Sequence, residues 1–245
     1  MQSRRTFLRA AGPFALGLAG IRVAIPLDGS RLAVRPRAPT KKASPGVHTL
    51  QFEAGRKALL FVPKGYRADR PAGLLLMLHG ATQDAEFSIE VTQDAAAAHN
   101  LVVLAPKSRN TTWDAIREGF GPDVGYIDRV MAETFARCAI QPSRVVAAGF
   151  SDGASYALSL GLANGDLFQR IVAFSPGFIV GSDRVGKPLV WVSHGTRDRI
   201  LPIDQTSRRL VPELKRDGYS VEFREFDGPH WVPREISEEA MTWIR

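Results

Sequence analysis

The stretch that most constrains this chain runs from Arg144 to Leu158. A β-branched apolar run, Val145-Val146-Ala147-Ala148, climbs into Gly149-Phe150-Ser151-Asp152-Gly153, and small and apolar residues at helical spacing follow at once. That order predicts strand, sharp turn, helix. Glycines two positions before and two after the serine suit a turn too tight to admit Cβ atoms there. The first N–H groups of the following helix have no acceptor within it, so they point at whatever sits beside the serine hydroxyl and would steady an anion. Ser151 is therefore a candidate nucleophile. The other reading of the same five residues is a glycine turn whose serine caps a helix.

The rest of the chain alternates in the same way. Val47 to Glu53 and Lys57 to Pro63 predict two strands joined across Ala54-Gly55-Arg56. Gly73 to Leu78 is a continuous apolar run, the mark of a strand covered on both faces, and it ends in His79-Gly80-Ala81-Thr82. A helical pattern spans Asp84 to His99, a buried strand Leu101 to Ala105, and a polar, glycine-bearing loop Lys107 to Pro122. A helix then starts near Asp123 and presents Tyr126, Ile127, Val130, Met131 and Phe135 on one face. After the serine turn come a helix to about Leu162 and strands at Arg170 to Phe174 and Pro188 to Val192. A helix from Asp204 to Asp217, a strand from Tyr219 to Phe226 and a closing helix from Pro233 to Trp243 complete the chain. Strands alternating with helices predict one mostly parallel sheet with helices on both faces.

The formal charge of +7 invites a nucleic-acid reading, but its placement removes that reading. Of 32 Lys and Arg, nine fall within residues 1–46, leaving 23; of 25 acids only Asp28 does, leaving 24. The body is near neutral. Met1-Gln2-Ser3-Arg4-Arg5-Thr6-Phe7-Leu8, followed by an Ala/Gly/Leu-rich stretch to Gly20, looks like a twin-arginine export leader over residues 1–24. The expected location is periplasmic or secreted, with membrane contact only where the leader is retained. Residues 25–46 read as a flexible or extended basic, Pro-rich linker. The single cysteine, Cys138, excludes an intramolecular disulfide and a cysteine-based zinc cage and reads as a small buried apolar residue.

Three polar features besides Ser151 follow strands in a meaningful way. Counting eight strands, His79-Gly80 follows the third, Ser151 the fifth, Asp198 the seventh and His230 the eighth. In a parallel sheet these ends open on one edge, where active sites gather. The serine–acid–histidine order, with Leu78-His79-Gly80, Gly149-Phe150-Ser151-Asp152-Gly153, His194-Gly195-Thr196-Arg197-Asp198 and Gly228-Pro229-His230, resembles the α/β-hydrolase superfamily. Within it the chain is similar to small carboxylesterase/phospholipase and polyhydroxybutyrate-depolymerase-like serine esterases, over residues 47–245. The resemblance implies an α/β-hydrolase fold with an eight-stranded mostly parallel sheet, no large cap domain, and ester cleavage through an acyl-enzyme without metal or cofactor. Its substrates would be small-molecule or polymer-borne esters.

The chemistry asks for these residue types. A serine hydroxyl attacks an acyl carbon poorly until a base removes its proton, and imidazole can do so and then protonate the leaving group. His230 is the candidate base and Asp198 the acid that orients it. By resemblance, the backbone N–H groups of Ala81 and Asp152 form the oxyanion hole. Asp204 and Asp183 compete with Asp198, and Asp227 is an alternative partner for His230; His194, which precedes the acid, reads as a loop-shaping residue and His79 as structural. The Asp152 side chain departs from acyl-thioesterase relatives, which often carry Gln there. Trp113 and Trp231, with Phe120 and Phe178, are candidate substrate-binding residues on the same edge, although ordinary packing explains each equally well. Two other readings stay open: a prolyl-oligopeptidase-like peptidase using the same residue order, and a binding protein that kept the fold without turnover.

Overall fold

The computed structural model describes residues 29–181 and 183–245. The expected leader, the first linker residues and Ser182 lie outside the described residues. Eight strands, β1 (Gly46–Glu53), β2 (Arg56–Val62), β3 (Ala72–Leu78), β4 (Leu101–Pro106), β5 (Ile140–Phe150), β6 (Arg170–Phe174), β7 (Leu189–Gly195) and β8 (Val221–Phe226), form one sheet. Their order is β1-β2-β4-β3-β5-β6-β7-β8. The first two pairings, β1 with β2 and β2 with β4, are antiparallel; every other pairing is parallel. The strand ends after β3, β5, β7 and β8 therefore open on a single edge.

The period-2 alternation of each central strand sorts its side chains between two cores. Leu74, Leu76 and Leu78 of β3 face Tyr126 and Ile127 of α3 (Pro122–Arg137) and Tyr156 and Leu160 of α4 (Asp152–Ala163). Leu75 and Met77 face the other way, toward α1 (Ala85–Glu90), α2 (Gln93–Ala98) and α6 (Arg234–Trp243). Farther along, Ile171, Ala173, Val190 and Val192 pack on α4 and on α5 (Ser207–Arg216). Every residue of β3 and β4 is thus buried whichever way it points.

Several boundaries differ from the sequence reading for identifiable reasons. The single helix expected over 84–99 is two short ones broken at Val91 and Thr92. The Thr92 hydroxyl donates back to Ser88 O, and the Val91 carbonyl accepts from Ser237 Oγ of α6. A β-branched pair with local and tertiary hydrogen bonds of its own gives up the helix ladder there. Strand β5 extends back to Ile140, well before the apolar run, because Ile140 pairs with Ala72 of β3. The helix expected from Asp204 begins as a 3-10 turn, Ile203–Gln205, before α5.

Residues 29–45 carry no regular structure, but they are fastened to the body rather than swinging free. Asn164, fully buried at the end of α4, accepts from Leu32 N at 2.8 Å through Oδ1 and donates to Ser30 O at 2.7 Å through Nδ2. Leu32 is 2% exposed in the α3 core, Val34 N donates to Asp128, and Thr40 N and Lys41 N share Ala136 O. Arg31 and Arg35 both reach Asp166, and Lys41 reaches Glu133. The basic charge that reads as linker composition is partly matched by acids of the body. Composition could not show this, since partners so distant in sequence carry no local signal.

Replacing Asn164 with Ala would leave the buried Leu32 N–H without its acceptor, an arrangement that costs about 1–3 kcal/mol. Urea unfolding of Asn164→Ala is expected to show that loss, with faster proteolysis within residues 29–45 under native conditions.

Candidate active site

Ser151 sits at φ 57°, ψ −122°, a left-handed conformation that is strained for any residue with a Cβ. Its neighbours leave no alternative. A Cβ on Gly149 would lie 2.1 Å from Gly153 O, and one on Gly153 2.1 Å from Leu78 O, so the strand, the turn and the end of β3 touch backbone to backbone. Ser151 N donates to Phe174 O at 2.9 Å, and Ser151 O accepts from Ala154 N and Ser155 N as the first carbonyl of α4. The serine does not cap the helix through its side chain. Its hydroxyl is left for another partner.

That partner is His230. Its Nε2 lies 2.8 Å from Ser151 Oγ, and its Nδ1 lies 2.5 Å from Asp198 Oδ2. Asp198 accepts at its other oxygen from Ile200 N at 2.9 Å and Leu201 N at 2.8 Å. With that carboxylate as its partner, Nδ1 carries the proton and donates, leaving Nε2 to accept from the serine hydroxyl. The rivals are elsewhere: Asp204 pairs with Arg208, and Asp227 is exposed and pairs with Arg197. The side-chain partners of His230 are Asp198 and Ser151, not Asp183.

His194 does more than shape its loop. Its Nε2 lies 3.1 Å from Asp198 Oδ2 and 2.7 Å from Leu201 O, two acceptors, while Nδ1 faces Ser207 Oγ at 2.7 Å. The neutral Nε2–H tautomer satisfies all three contacts, and burial lowers this imidazole's pKa, which favours the neutral form. Asp198 thus accepts from two imidazoles and two backbone amides. Phe150, the variable residue before Ser151, stacks against the His230 ring with centroids 4.7 Å apart and against Phe87 at 5.5 Å.

On the other side of Ser151 lies the loop after β3, where a Cβ on Gly80 would stand 3.1 Å from Ser151 Cβ. The N–H groups of Ala81 and Asp152 have no acceptor among the described residues. His79 holds this loop from beneath: its Nε2 accepts from Ser108 N at 3.0 Å, so Nδ1 carries the proton and donates to Gly80 O at 2.7 Å. Burial lowers this imidazole's pKa as well.

Trp113 is not a substrate-facing residue. It is fully buried, donates through Nε1 to His79 O at 2.8 Å, and packs against the rings of His79 and Tyr156. The residue before it, Thr112, donates to Asp152 Oδ2 at 2.7 Å. Two adjacent residues of the 107–122 loop therefore hold the segments bearing both free N–H groups. Trp231 is 54% exposed beside His230, and Phe178 is exposed after β6, whereas Phe120 packs edge-on against Tyr156. Arg197, Arg199, Ile200, Pro229 and His230 line a shallow open depression of about 650 Å³. Among the described residues, the interval between β6 and β7 carries no helix or strand that could form a cap.

A family model described as putative esterase matches residues 51–208, more than half of the chain. The chain belongs to the putative esterase family. Among relatives of this esterase-family chain, a probable feruloyl esterase C from Aspergillus niger is 29% identical over 167 residues, covering 65% of this chain and 60% of the relative. Feruloyl esterase C from Emericella nidulans is 28% identical over 158 residues, covering 61% and 57%. The chain thus spans about three fifths of the length of these relatives. Among solved structures, a thermostable esterase superimposes with TM-score 0.66 at 22% identity, covering 81% of this chain and 61% of that one. A ferulic acid esterase from Anaeromyces mucronatus in complex with ferulic acid gives 0.61 at 17%, covering 84% and 93%. These likenesses establish the shared α/β-hydrolase fold.

Three residues of this esterase-family site escaped the sequence reading: Phe150, Thr112 and the acid-binding role of His194. Only His194 carried a signal, four residues before Asp198. Buried neutral histidines have a thermodynamic consequence. An unfolded histidine titrates near 6.5, and the folded values of His79 and His194 lie below it, so the unfolded state takes up more protons as pH falls. Their contribution to stability is complete above about pH 6.5 and is lost below it, by up to about 1.4 kcal/mol per pH unit for each group. Urea titrations between pH 7.5 and 5.0 are expected to show this fall, with a shallower slope in His194→Gln, which keeps a donor to Asp198 without a titrating ring.

Proposed function

We propose that this chain is an exported serine esterase that cleaves carboxylic esters through an acyl-enzyme. The observation that carries the reading is the hydrogen-bonded chain Ser151–His230–Asp198, with both polar contacts made before any substrate arrives. His230 Nε2 takes the serine proton as Oγ attacks the acyl carbon, Asp198 stabilises the imidazolium, and the same proton then passes to the leaving alcohol. The N–H groups of Ala81 and Asp152 hold the oxyanion, each supplying about 3 kcal/mol of barrier lowering. Water, activated by His230 in turn, releases the acid and restores Ser151.

The relatives named feruloyl esterase support an aromatic acyl group as the substrate class, and exposed Trp231 and Phe178 offer flat apolar surface beside the relay. The open depression suits an ester carried on a bulky alcohol or polymer. The Ser-Arg-Arg-Thr-Phe-Leu start supports export. Among the described residues no helix is long and apolar enough to cross a membrane.

Ser151→Ala is expected to lose fluorophosphonate labelling and to lower ester turnover by about three orders of magnitude or more; equal labelling of wild type and variant would remove Ser151 from the reaction. On a panel of p-nitrophenyl esters, methyl ferulate and matching anilides, turnover is expected on the esters, with methyl ferulate exceeding long aliphatic chains. Preferential anilide cleavage would instead select the peptidase reading. Trp113→Phe keeps an aromatic ring, though a smaller one, and deletes the bond to His79 O. It is expected to lower kcat by about tenfold or more with KM little changed, since the lost support acts on a donor used mainly in the transition state.

A further inference from the structure

The edge of the sheet opposite Ser151 carries a second concave site. There an open pocket of about 730 Å³ is lined by Arg70, Arg144 and Arg245, with Asn100, Gln141 and His99 between them. No acidic side chain lines it. None of the three arginines, nor neighbouring Arg170, takes part in an ion pair with an acidic side chain among the described residues, whereas half of the arginines in residues 47–245 do. Asp69, next to Arg70 in sequence, is engaged with Arg67.

Arg144 and Arg245 reach neutral acceptors, and Arg170 reaches an oxygen of the final residue. Arg144 donates to His99 O at 3.0 Å, Arg245 to His99 Nδ1 at 3.0 Å, and Arg170 to Arg245 O at 3.0 Å. Among the described residues Arg70 hydrogen-bonds only through its backbone, to Arg67 O. Burial and then the like charges of Arg170, Arg245 and Arg70 press the Arg144 guanidinium below its ordinary range. The positive charge of these guanidiniums therefore exceeds what their partners supply. Guanidinium groups match the planar, paired oxygens of phosphate and carboxylate, and a multiply charged oxyanion gains from several at once. The amides of Asn100 and Gln141 supply further neutral donors.

We propose that this pocket binds a phosphate-bearing anion of two or more charges, held between Arg70, Arg144 and Arg245 and independent of the esterase relay. The site lies at the start of β3, β4, β5 and β6, so a ligand there leaves the Ser151 edge open to ester substrate. Free phosphate and a phosphate on a lipid headgroup present the same chemistry of recognition.

Isothermal titration of the full chain with sodium pyrophosphate, at ionic strength held constant with sodium chloride, tests the proposal, because constant screening removes non-specific attraction. Saturable binding to one site is expected in the wild type, and an affinity at least tenfold weaker in Arg70→Glu. Arg70→Gln, which removes charge without adding an acid, is expected to weaken binding in the same direction. Arg70→Glu should also raise the unfolding temperature in low salt, opposite to the usual sign for a substitution, because a carboxylate relieves the repulsion. Ester turnover is expected to be unchanged in both variants, which separates this site from the relay. Sedimentation with phosphatidic acid vesicles, against phosphatidylcholine vesicles, identifies the source: pyrophosphate-competed sedimentation assigns the headgroup, and pyrophosphate binding without sedimentation assigns a soluble phosphate. Absence of saturable pyrophosphate binding, or equal affinity in wild type and Arg70→Glu, overturns the proposal.

Discussion

The strained backbone of Ser151 is the constraint on which the site depends. A residue with a Cβ held at positive φ costs about 1–3 kcal/mol and persists only where its surroundings exclude relaxation. Here Gly149, Gly153 and the end of β3 meet with no space for a side chain, and the amide of Ser151 is pinned to Phe174 O across the adjacent strand. The conformation that costs this energy also lifts Oγ off the sheet toward His230 and aims the Asp152 amide, free of any helical acceptor, at the same space. Strain, nucleophile and anion-binding donor are one feature of a single turn.

The imidazole reaches that hydroxyl because two loops are joined into one piece. Thr196 N donates to Phe226 O and Arg197 N to Gly228 O, both at 2.9 Å, so the segment carrying Asp198 and the segment carrying His230 cannot move apart independently. Asp198 is then held by two amides and two imidazoles. A carboxylate with four donors has little freedom to reorient, and it transmits its position to His230. The parallel pairing of β5, β6, β7 and β8 brings this unit beside Ser151 by topology alone.

The loop over residues 107–122 does for the oxyanion side what that loop pair does for the relay. It is itself anchored by a buried ion pair, Arg56 with Asp123. Asp123 also accepts from Arg109 N and Asp114 N, and the Asp114 carboxylate accepts from Asp123 N in return. Arg56 lies 3.6 Å from the centroid of the Tyr126 ring. Burial nonetheless raises the Asp123 pKa, a sign that desolvation outweighs its partners. A buried pair of this kind adds little net stability, but removing one partner strands the other, so it fixes geometry more than it deepens the energy minimum. What it fixes is the position of Thr112 and Trp113.

Much of this was legible in the sequence because its signals are local. The Val145–Ala148 run, the glycine pair around Ser151 and the polar residues closing β3, β7 and β8 each state their role within a few residues, and continuous apolar runs marked the strands covered on both faces. Trp113 was misread because an aromatic residue in a polar loop has the same composition whether it faces solvent or supports a backbone carbonyl. Residues 29–45 read as linker because their partners, Asp128, Glu133, Asn164 and Asp166, are about a hundred residues away. The sequence by itself determined which elements form and which chemistry-bearing residues end the strands, since propensity, periodicity and turn sterics act between near neighbours. Only the tertiary structure decided strand order, the second imidazole on Asp198, the Thr112–Trp113 support and the arginine pocket, because each is a contact between segments that chain folding alone brings together.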